Sequence, residues 1–365
     1  MTLNSKNVIF VTGSLTGGGA EKVISILASQ CAELGADVTL VVLRNKKHSY
    51  KLSSKVKVHQ INVGEKKLKI ISRIKILRSI FKHSKANTII AFLPIITMYS
   101  LIANIGLHKR IITSERGDPN LNIFSLNLNI KDKISHIIMR KMQLFGLADY
   151  VVFQTPDAQS YYNKRIQKKS RVIPNPLDLT NLPNKYNFER EKNIIAAGRF
   201  SEEKNFPLLI RAFADFHKAY PDYKLIIYGD GPLKEELKKL IEALELERNV
   251  ILPGFSDSLL PTMNKASIYI STSNHEGISN SMLEALGMGV PTIATDCPIG
   301  GARMFVKTDK NGILIPMNDR EKLVNAMVEI VSNTQYSKQL SNNVDSFRNK
   351  LSSEVVCEEW LKIVW

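Results

Sequence analysis

The stretch SNHEGISNSMLEALGMGVPTIATD, residues 273–296, sets two carboxylates, Glu276 and Glu284, eight positions apart around small and polar residues. An apolar β-branched run at 266–271 precedes it and a helical pattern begins after Asn280. Glu276 therefore falls in a loop past the carboxyl end of a strand, where open α/β sheets hold ligands. Ser279, Asn280 or Ser281 can cap the helix, leaving the amides of Ile278 to Ser281 pointing outward without helical partners. Such a helix start attracts phosphate oxygens. Glu276 and the neighbouring Gly277 stand beside whatever the phosphate carries, and Glu284, about one turn inside, reaches hydroxyls on its other side. An anion flanked by two hydroxyl-bearing groups describes a nucleotide-sugar, with Glu276 toward the sugar and Glu284 toward the ribose. Two glutamates at this spacing also arise by chance, so the signal lies in their placement around a strand end and a helix start.

A diphosphate beside carboxylates needs cations. The chain has no DxD and no acidic cluster for a divalent ion, so no metal or other cofactor is expected and side chains must supply the charge. In AAGRFSEEKNFPLLIRAF, Arg199 follows a strand end and Lys204 precedes a helix. Arg199 can fork onto phosphate oxygens and Lys204 can add a point charge. Taken alone, they read equally as surface cations, one offset by Glu202 and Glu203. A second glycine turn, FVTGSLTGGGAEKVISIL, has glycines at 13, 17, 18 and 19, which is not GxGxxG. Past the next strand stands Arg44, with no acid to hold the ribose of NAD. A backbone-lined pocket for a sugar diphosphate is the stronger reading and a dinucleotide site the weaker.

The elements that must position these residues form one series. Strand-like runs at 8–12, 38–43, 88–92, 110–113, 150–153 and 171–173 alternate with helical patterns, among them 21–34 closed by Gly35. The segment 174–184, with Pro174, Pro176 and Pro183, is turn-rich and reads as a linker. The alternation then restarts with strands at 193–197, 223–228, 250–252, 266–271, 292–295 and 312–315, and helices at 206–220, 232–244, after 280 and from 319. Strands separated by amphipathic helices mean βαβ units and parallel sheets. The expected fold is α/β, two Rossmann-like domains facing each other across a cleft. The expected divisions are 1–180, 181–345, and a C-terminal helix at 346–365 returning toward the first domain.

At 365 residues the chain exceeds one ordinary core, and 44% hydrophobic content fits a packed globular protein. Its three cysteines form no CxxC pair, which reads as reduced cytosol without a disulfide framework or zinc site. The N-terminus runs straight into a strand, so no signal peptide is expected. Charge is unevenly placed: residues 1–187 hold 29 Lys and Arg against 10 Asp and Glu, and residues 188–365 hold 21 against 24. The first part is thus expected to face something anionic. In KKLKIISRIKILRSIFKHSK, residues 66–85, apolar residues at helical spacing are surrounded by Lys69, Arg73, Lys75, Arg78 and Lys82. It reads either as a domain helix with a solvated basic face or as an interfacial helix on anionic lipid. The uncharged run 89–107 approaches a membrane span in length, but Pro94, Thr97, Ser100 and Asn104 interrupt it; a buried strand plus a core helix is the simpler account. Sparse aromatics in the basic part and the lack of any RNA-binding module argue against nucleic acid as a partner.

The motifs GGGAE, SERGDP, VIPNPLD, AAGRFSEEKNFPLLIRAF, YGDGPLKEEL, NVILPGF and HEGISNSMLEALGMGVPTIATDCPIGG, in this order, resemble glycosyltransferase family 4, retaining enzymes of the GT-B fold. The resemblance runs from Gly13 to about Ile315. It implies that Glu276 and Glu284 are the family's E-x7-E pair, and that Arg199 and Lys204 are the cations on the leaving diphosphate. It further implies that Gly17, Gly18 and Gly19 lie against the donor diphosphate and that Gly254 and Phe255 lie near the nucleobase. The nearest likeness is to bacterial enzymes extending lipid-linked oligosaccharides for capsule, O-antigen or glycan assembly. These are peripheral membrane proteins on the inner face of the cell membrane whose N-terminal domain binds the acceptor. The implied activity is transfer of a hexose or N-acetylhexosamine from a UDP-sugar to a polyprenyl-diphosphate-linked saccharide. One departure stands out: SERGDP puts Arg116 near the donor sugar where many members carry histidine, a cation able to bind an acidic group or pair with Asp118. Two other classes remain open, a retaining glycoside hydrolase, which also uses two carboxylates, and a non-catalytic lipid-binding scaffold.

Overall fold

The computed structural model describes residues 7–44, 50–61, 69–120, 130–256, 258–342 and 344–364. Residues 1–6, on which the signal-peptide expectation rests, and 66–68 of the basic stretch lie outside the described residues. The chain divides into two compact units, 1–176 with 353–365, and 177–352. The division differs from the expected one at its end. Residues 346–365 are not one helix: Val344–Leu351 belongs to the second unit and Ser353–Val364 to the first.

The first unit carries strands β1 (Asn7–Thr12), β2 (Asp37–Val42), β3 (Lys57–Gln60), β4 (Thr88–Phe92), β5 (Arg110–Ser114), β6 (Tyr150–Phe153) and β7 (Ser170–Val172). They pair in parallel in the order β3-β2-β1-β4-β5-β6-β7. Both faces are covered by helices, which is why β1, β2 and β4 read as near-continuous Val/Ile/Leu runs. β3, KVHQ, escapes sequence reading because its side chains are mostly exposed, as an edge strand allows. The run 89–107 is β4 followed by helix Pro94–Asn104, and among the described residues no helix is long and apolar enough to cross a membrane. Helix Ser353–Val364 contributes Val356, Cys357, Trp360, Ile363 and Val364 to the first core, with Trp360 stacked on Phe92 at 5.5 Å. Cys31 and Cys357 meet there with Sγ atoms 3.0 Å apart, and all three cysteines are buried and unbridged.

The second unit carries β8 (Glu191–Ala197), β9 (Lys224–Tyr228), β10 (Val250–Gly254), β11 (Ala266–Ser271), β12 (Thr292–Thr295) and β13 (Gly312–Ile315), parallel in the order β10-β9-β8-β11-β12-β13. Helix Phe206–Ala219 buries Phe206, Leu209, Ile210, Phe213 and Phe216 along one stripe against this sheet. In each sheet the strand order reverses once, between β1 and β4 and between β8 and β11. A crevice opens at the carboxyl ends on either side of such a switch point.

The basic stretch resolves as helix Ile70–His83. Leu77 and Phe81 are buried and Ile70, Ile74, Ile76 and Ile80 pack against the same core, while Ile71 is 68% exposed. It is a helix of the unit's own core whose outer side exposes Lys69, Lys75 and Lys82. Arg73 is half-buried, and the exposed Arg78 donates to the carbonyls of Ala103 (3.1 Å) and Ile105 (2.5 Å), closing the end of the neighbouring helix.

Candidate active site

The switch point of the second sheet assembles the candidate chemistry from three strand ends. β8 stops at Ala197, and Gly198 follows because a Cβ there would press on the Lys204 stem, 3.0 Å from its Cε. A single 3-10 turn, Glu202–Lys204, ends at Asn205 in the left-handed region (φ 48°), a conformation asparagine tolerates. Thr272, just past β11, donates its hydroxyl to the carbonyls of Lys204 (2.9 Å) and Asn205 (3.2 Å). The Asn274 amide adds a bond to Glu203 O at 2.8 Å. These ties hold the loops after β8 and β11 together and aim Lys204 at Glu276, with which it forms an ion pair.

Glu276 is anchored further. Ser273 donates its hydroxyl to Oε2 at 3.1 Å, and the Glu276 amide reaches Pro298 O at 3.3 Å. Thr295, at the end of β12, donates to Ser273 O at 2.6 Å. Burial alone would lower the Lys204 ammonium, but the Glu276 carboxylate outweighs it and holds the group above the ordinary lysine value. The Cys297 thiol, buried beside this pair, is pushed up to about 12 by burial and then by the Glu276 charge, so it stays a neutral wall.

Helix Asn280–Gly287 begins two residues past Ile278, with Ser279 as its cap accepting the Met282 amide. Ile278 itself buries its side chain in the core. Ser281 accepts or donates at the Tyr269 hydroxyl (2.7 Å) and reaches Ala197 O at 3.4 Å, fastening the helix start to β8. Glu284 is buried at 7% exposure. The loop after Gly277 is fixed by close approach: a Cβ on Gly301 would stand 2.7 Å from the Gly277 carbonyl carbon. Lys204, Glu276, Gly277, Ile278, Ser279, Asn280, Ser281 and Glu284 are thus brought together. Arg199 lies exposed on the same β8 loop with no ion pair among the described residues. Gly254 has φ 81° with open space around it, and Phe255 is 71% exposed at the end of β10. Thr272, Ser273, Asn205 and Gly301 are the positioning residues sequence reasoning missed. The only signal was their place in STSNHEG, EEKNF and CPIGG beside strand ends.

In the first unit, Gly17 has φ 63° and Gly18 caps helix Gly19–Glu33 with extended backbone. The Glu21 carboxylate folds back over this turn, its Cδ 2.7 Å from where a Gly18 Cβ would lie, and accepts the Ser14 hydroxyl at 3.4 Å. Burial raises that carboxyl. An acid therefore already lies over the glycine turn, a like charge to a diphosphate. Across the switch point Leu93, with φ 73° and ψ 151°, occupies a region almost reserved for glycine; such strain costs about 1–3 kcal/mol and gathers at ligand sites.

Arg116 follows β5. Its partner is not Asp118, which accepts the Asn120 amide at 2.8 Å. Instead it donates to Ser114 Oγ at 3.2 Å and to Asn175 Oδ1, with its guanidinium 5.1 Å above the Phe92 ring. The adjacent Glu115, 1% exposed, is clamped by Arg140 through bonds of 2.8 and 2.7 Å and by the Tyr162 hydroxyl at 3.2 Å. A π-helical turn, Ile137–Lys141, turns Arg140 inward for this. Burial would raise the Glu115 carboxyl, but Arg140 outweighs it and holds the group below its usual range.

Comparison with known proteins agrees with this architecture. The family model for Glycosyltransferase Family 4 matches residues 17–181, and that for Glycosyl transferases group 1 matches residues 179–347. A Haemophilus influenzae "Uncharacterized glycosyltransferase" is 26% identical over 359 residues, 97% of this chain and 98% of its own. The Campylobacter jejuni "GalNAc-alpha-(1->4)-GalNAc-alpha-(1->3)-diNAcBac-PP-undecaprenol alpha-1,4-N-acetyl-D-galactosaminyltransferase" is 26% identical over 366 residues, 98% of each chain. Anabaena HepE in complex with UDP-glucose matches with a TM-score of 0.80 at 17% identity over 98% of both chains, a likeness of fold. With two matching models spanning both Rossmann-like units and relatives aligned from end to end, the chain is an enzyme of glycosyltransferase family 4 with the GT-B fold.

Proposed function

We propose that the protein transfers a hexose or N-acetylhexosamine from a UDP-sugar to a hydroxyl of a polyprenyl-diphosphate-linked saccharide, with retained anomeric configuration, in capsule, O-antigen or glycan synthesis. The observation that carries this is the pairing of Lys204 with Glu276 beside the Ser279-capped helix start, at the switch point of the second sheet. As the glycosidic bond breaks, negative charge develops on the leaving UDP. Lys204, with Arg199 free to fold in from solvent, stabilises that charge more than the ground state. Glu276, already fixed by Ser273, orients the donor sugar and steadies its cationic character, and Glu284 holds the ribose hydroxyls. Among the described residues no second carboxylate stands ready for double displacement, so a same-face path in which a phosphate oxygen takes the acceptor proton is favoured. No metal is required on this reading, because the side-chain cations do that work. With Glu21 over the glycine turn, the second unit is the stronger holder of diphosphate.

The Campylobacter relative's named undecaprenol-diphosphate substrate supports the acceptor, and the UDP-glucose complex of HepE supports the donor. The first unit holds 29 Lys and Arg against 12 Asp and Glu and the second 21 against 22. That surplus supports peripheral attachment of the first unit to the anionic inner face of the cell membrane. The test is transfer from UDP-sugars to an undecaprenyl-diphosphate saccharide in EDTA. Lys204→Ala and Glu276→Ala should each lose about 100- to 1,000-fold in kcat. Near-normal turnover in both variants would falsify the assignment, and release of free sugar from a glycan without nucleotide would favour a hydrolase.

A further inference from the structure

We infer that Arg116 is a substrate-binding residue that takes an anionic oxygen, a phosphate or a carboxylate, at the ligand edge of the first sheet. The inference rests on the glycosyltransferase reading above and adds the class of group this position selects. Arg116 presents five N–H donors in a planar fork. Two acceptors engage it, Ser114 Oγ and Asn175 Oδ1, both neutral. Its neighbour Glu115 cannot serve as counter-ion by contact, because Arg140, Tyr162 and the amides of Arg116 (3.0 Å) and Gly117 (3.2 Å) already occupy its oxygens.

The acceptors that engage the fork are not its own. Asn175 Oδ1 is shared with Gln154 Nε2 at 2.6 Å, while the Arg116 Nε donor is sealed from solvent without a partner. Buried polar atoms left unpaired are rare enough in folded proteins to call for a missing ligand or ordered water. The place fits a ligand: Phe92, Ser114, Gln154 and Asn175 stand at or just past the carboxyl ends of β4, β5, β6 and β7. The Phe92 ring lies beneath the guanidinium and Trp360 stacks on Phe92, so the fork is held flat and oriented before anything binds. Burial lowers the guanidinium to about 9, which still leaves it charged at neutral pH and makes an incoming anion the missing compensation. Lysine would keep the charge but not the fork.

The test titrates wild type, Arg116→Met and Arg116→Lys with UDP-glucose, UDP-glucuronate and farnesyl diphosphate by calorimetry. Loss of a charge-assisted fork should weaken the relevant probe about 10- to 100-fold in the methionine variant, with partial recovery in the lysine variant. A loss confined to UDP-glucuronate identifies a sugar carboxylate. An equal loss for both nucleotides identifies the donor phosphates, and a loss for farnesyl diphosphate identifies the lipid phosphates. If both variants keep a wild-type thermal transition and bind every probe as wild type does, Arg116 takes no anionic oxygen from substrate and the inference is overturned. Wild-type protein that binds none of the three overturns the donor and acceptor reading, and this inference with it.

Discussion

Gly301→Ala perturbs the site without removing any chemical group. Gly301 is not in the left-handed region, so alanine meets no backbone strain of its own; the obstacle is space. The added Cβ would overlap the Gly277 carbonyl, 2.7 Å from its carbon, and stand 3.3 Å from Ile278 Cα. Ordinary carbon–carbon contacts are about 3.5–4.0 Å, so the Gly277–Ile278 backbone must retreat by at least about 1 Å, and further at the Gly277 oxygen, the nearest atom. That backbone lies between Glu276 and the Ser279 cap. A displacement of this size at a reacting centre costs about 100-fold in rate. Overpacking of this kind costs about 1–3 kcal/mol in stability. The assay is steady-state transfer from a UDP-sugar, read beside a thermal melt. Gly106→Ala in the first unit, where φ is 73° and the nearest atom is 4.0 Å away, is the control: strain without collision, away from the candidate site, should spare kcat. Full turnover in Gly301→Ala would show that the Gly277 loop does not position the chemistry, and the site argument built on it would fail.

Glu115→Gln should destabilise the first unit by about 3–5 kcal/mol, since it leaves Arg140 buried without its carboxylate. The pH dependence has a definite sign. The folded Glu115 carboxyl lies below its ordinary value, so its stabilisation is complete above that value and is lost as pH falls through the lowered one. Wild type should show this acid-side loss in pH-dependent melts and the glutamine variant should not. Trp360→Ala should cost about 3–5 kcal/mol and make residues 353–364 the first site of limited proteolysis; equal protease resistance would contradict the packing of that helix. Neutralising Lys69, Lys75 and Lys82 together should weaken flotation with anionic vesicles about 100-fold, at about 1 kcal/mol per cation. Unchanged flotation would remove this helix from the membrane surface.

The local code was legible where neighbours in the chain decide the outcome. Short apolar runs and helical patterns marked β1, β4, β8 and β11 and the helix after Asn280, because burial within a sheet or along one helix face is written in consecutive residues. Gly35 at φ 94° was readable for the same reason, and the cap was narrowed to Ser279, Asn280 or Ser281, of which the structure uses Ser279. The sequence by itself also showed which residue types could serve a diphosphate and a sugar. Only the tertiary structure decided which of them meet. Lys204 and Glu276 are 72 residues apart, and their pairing depends on β8 lying beside β11, an order that no local pattern encodes. The return of 353–364 into the first core, the inward turn of the 70–83 helix and the neutral partners of Arg116 were decided likewise, by where crossovers place strand ends.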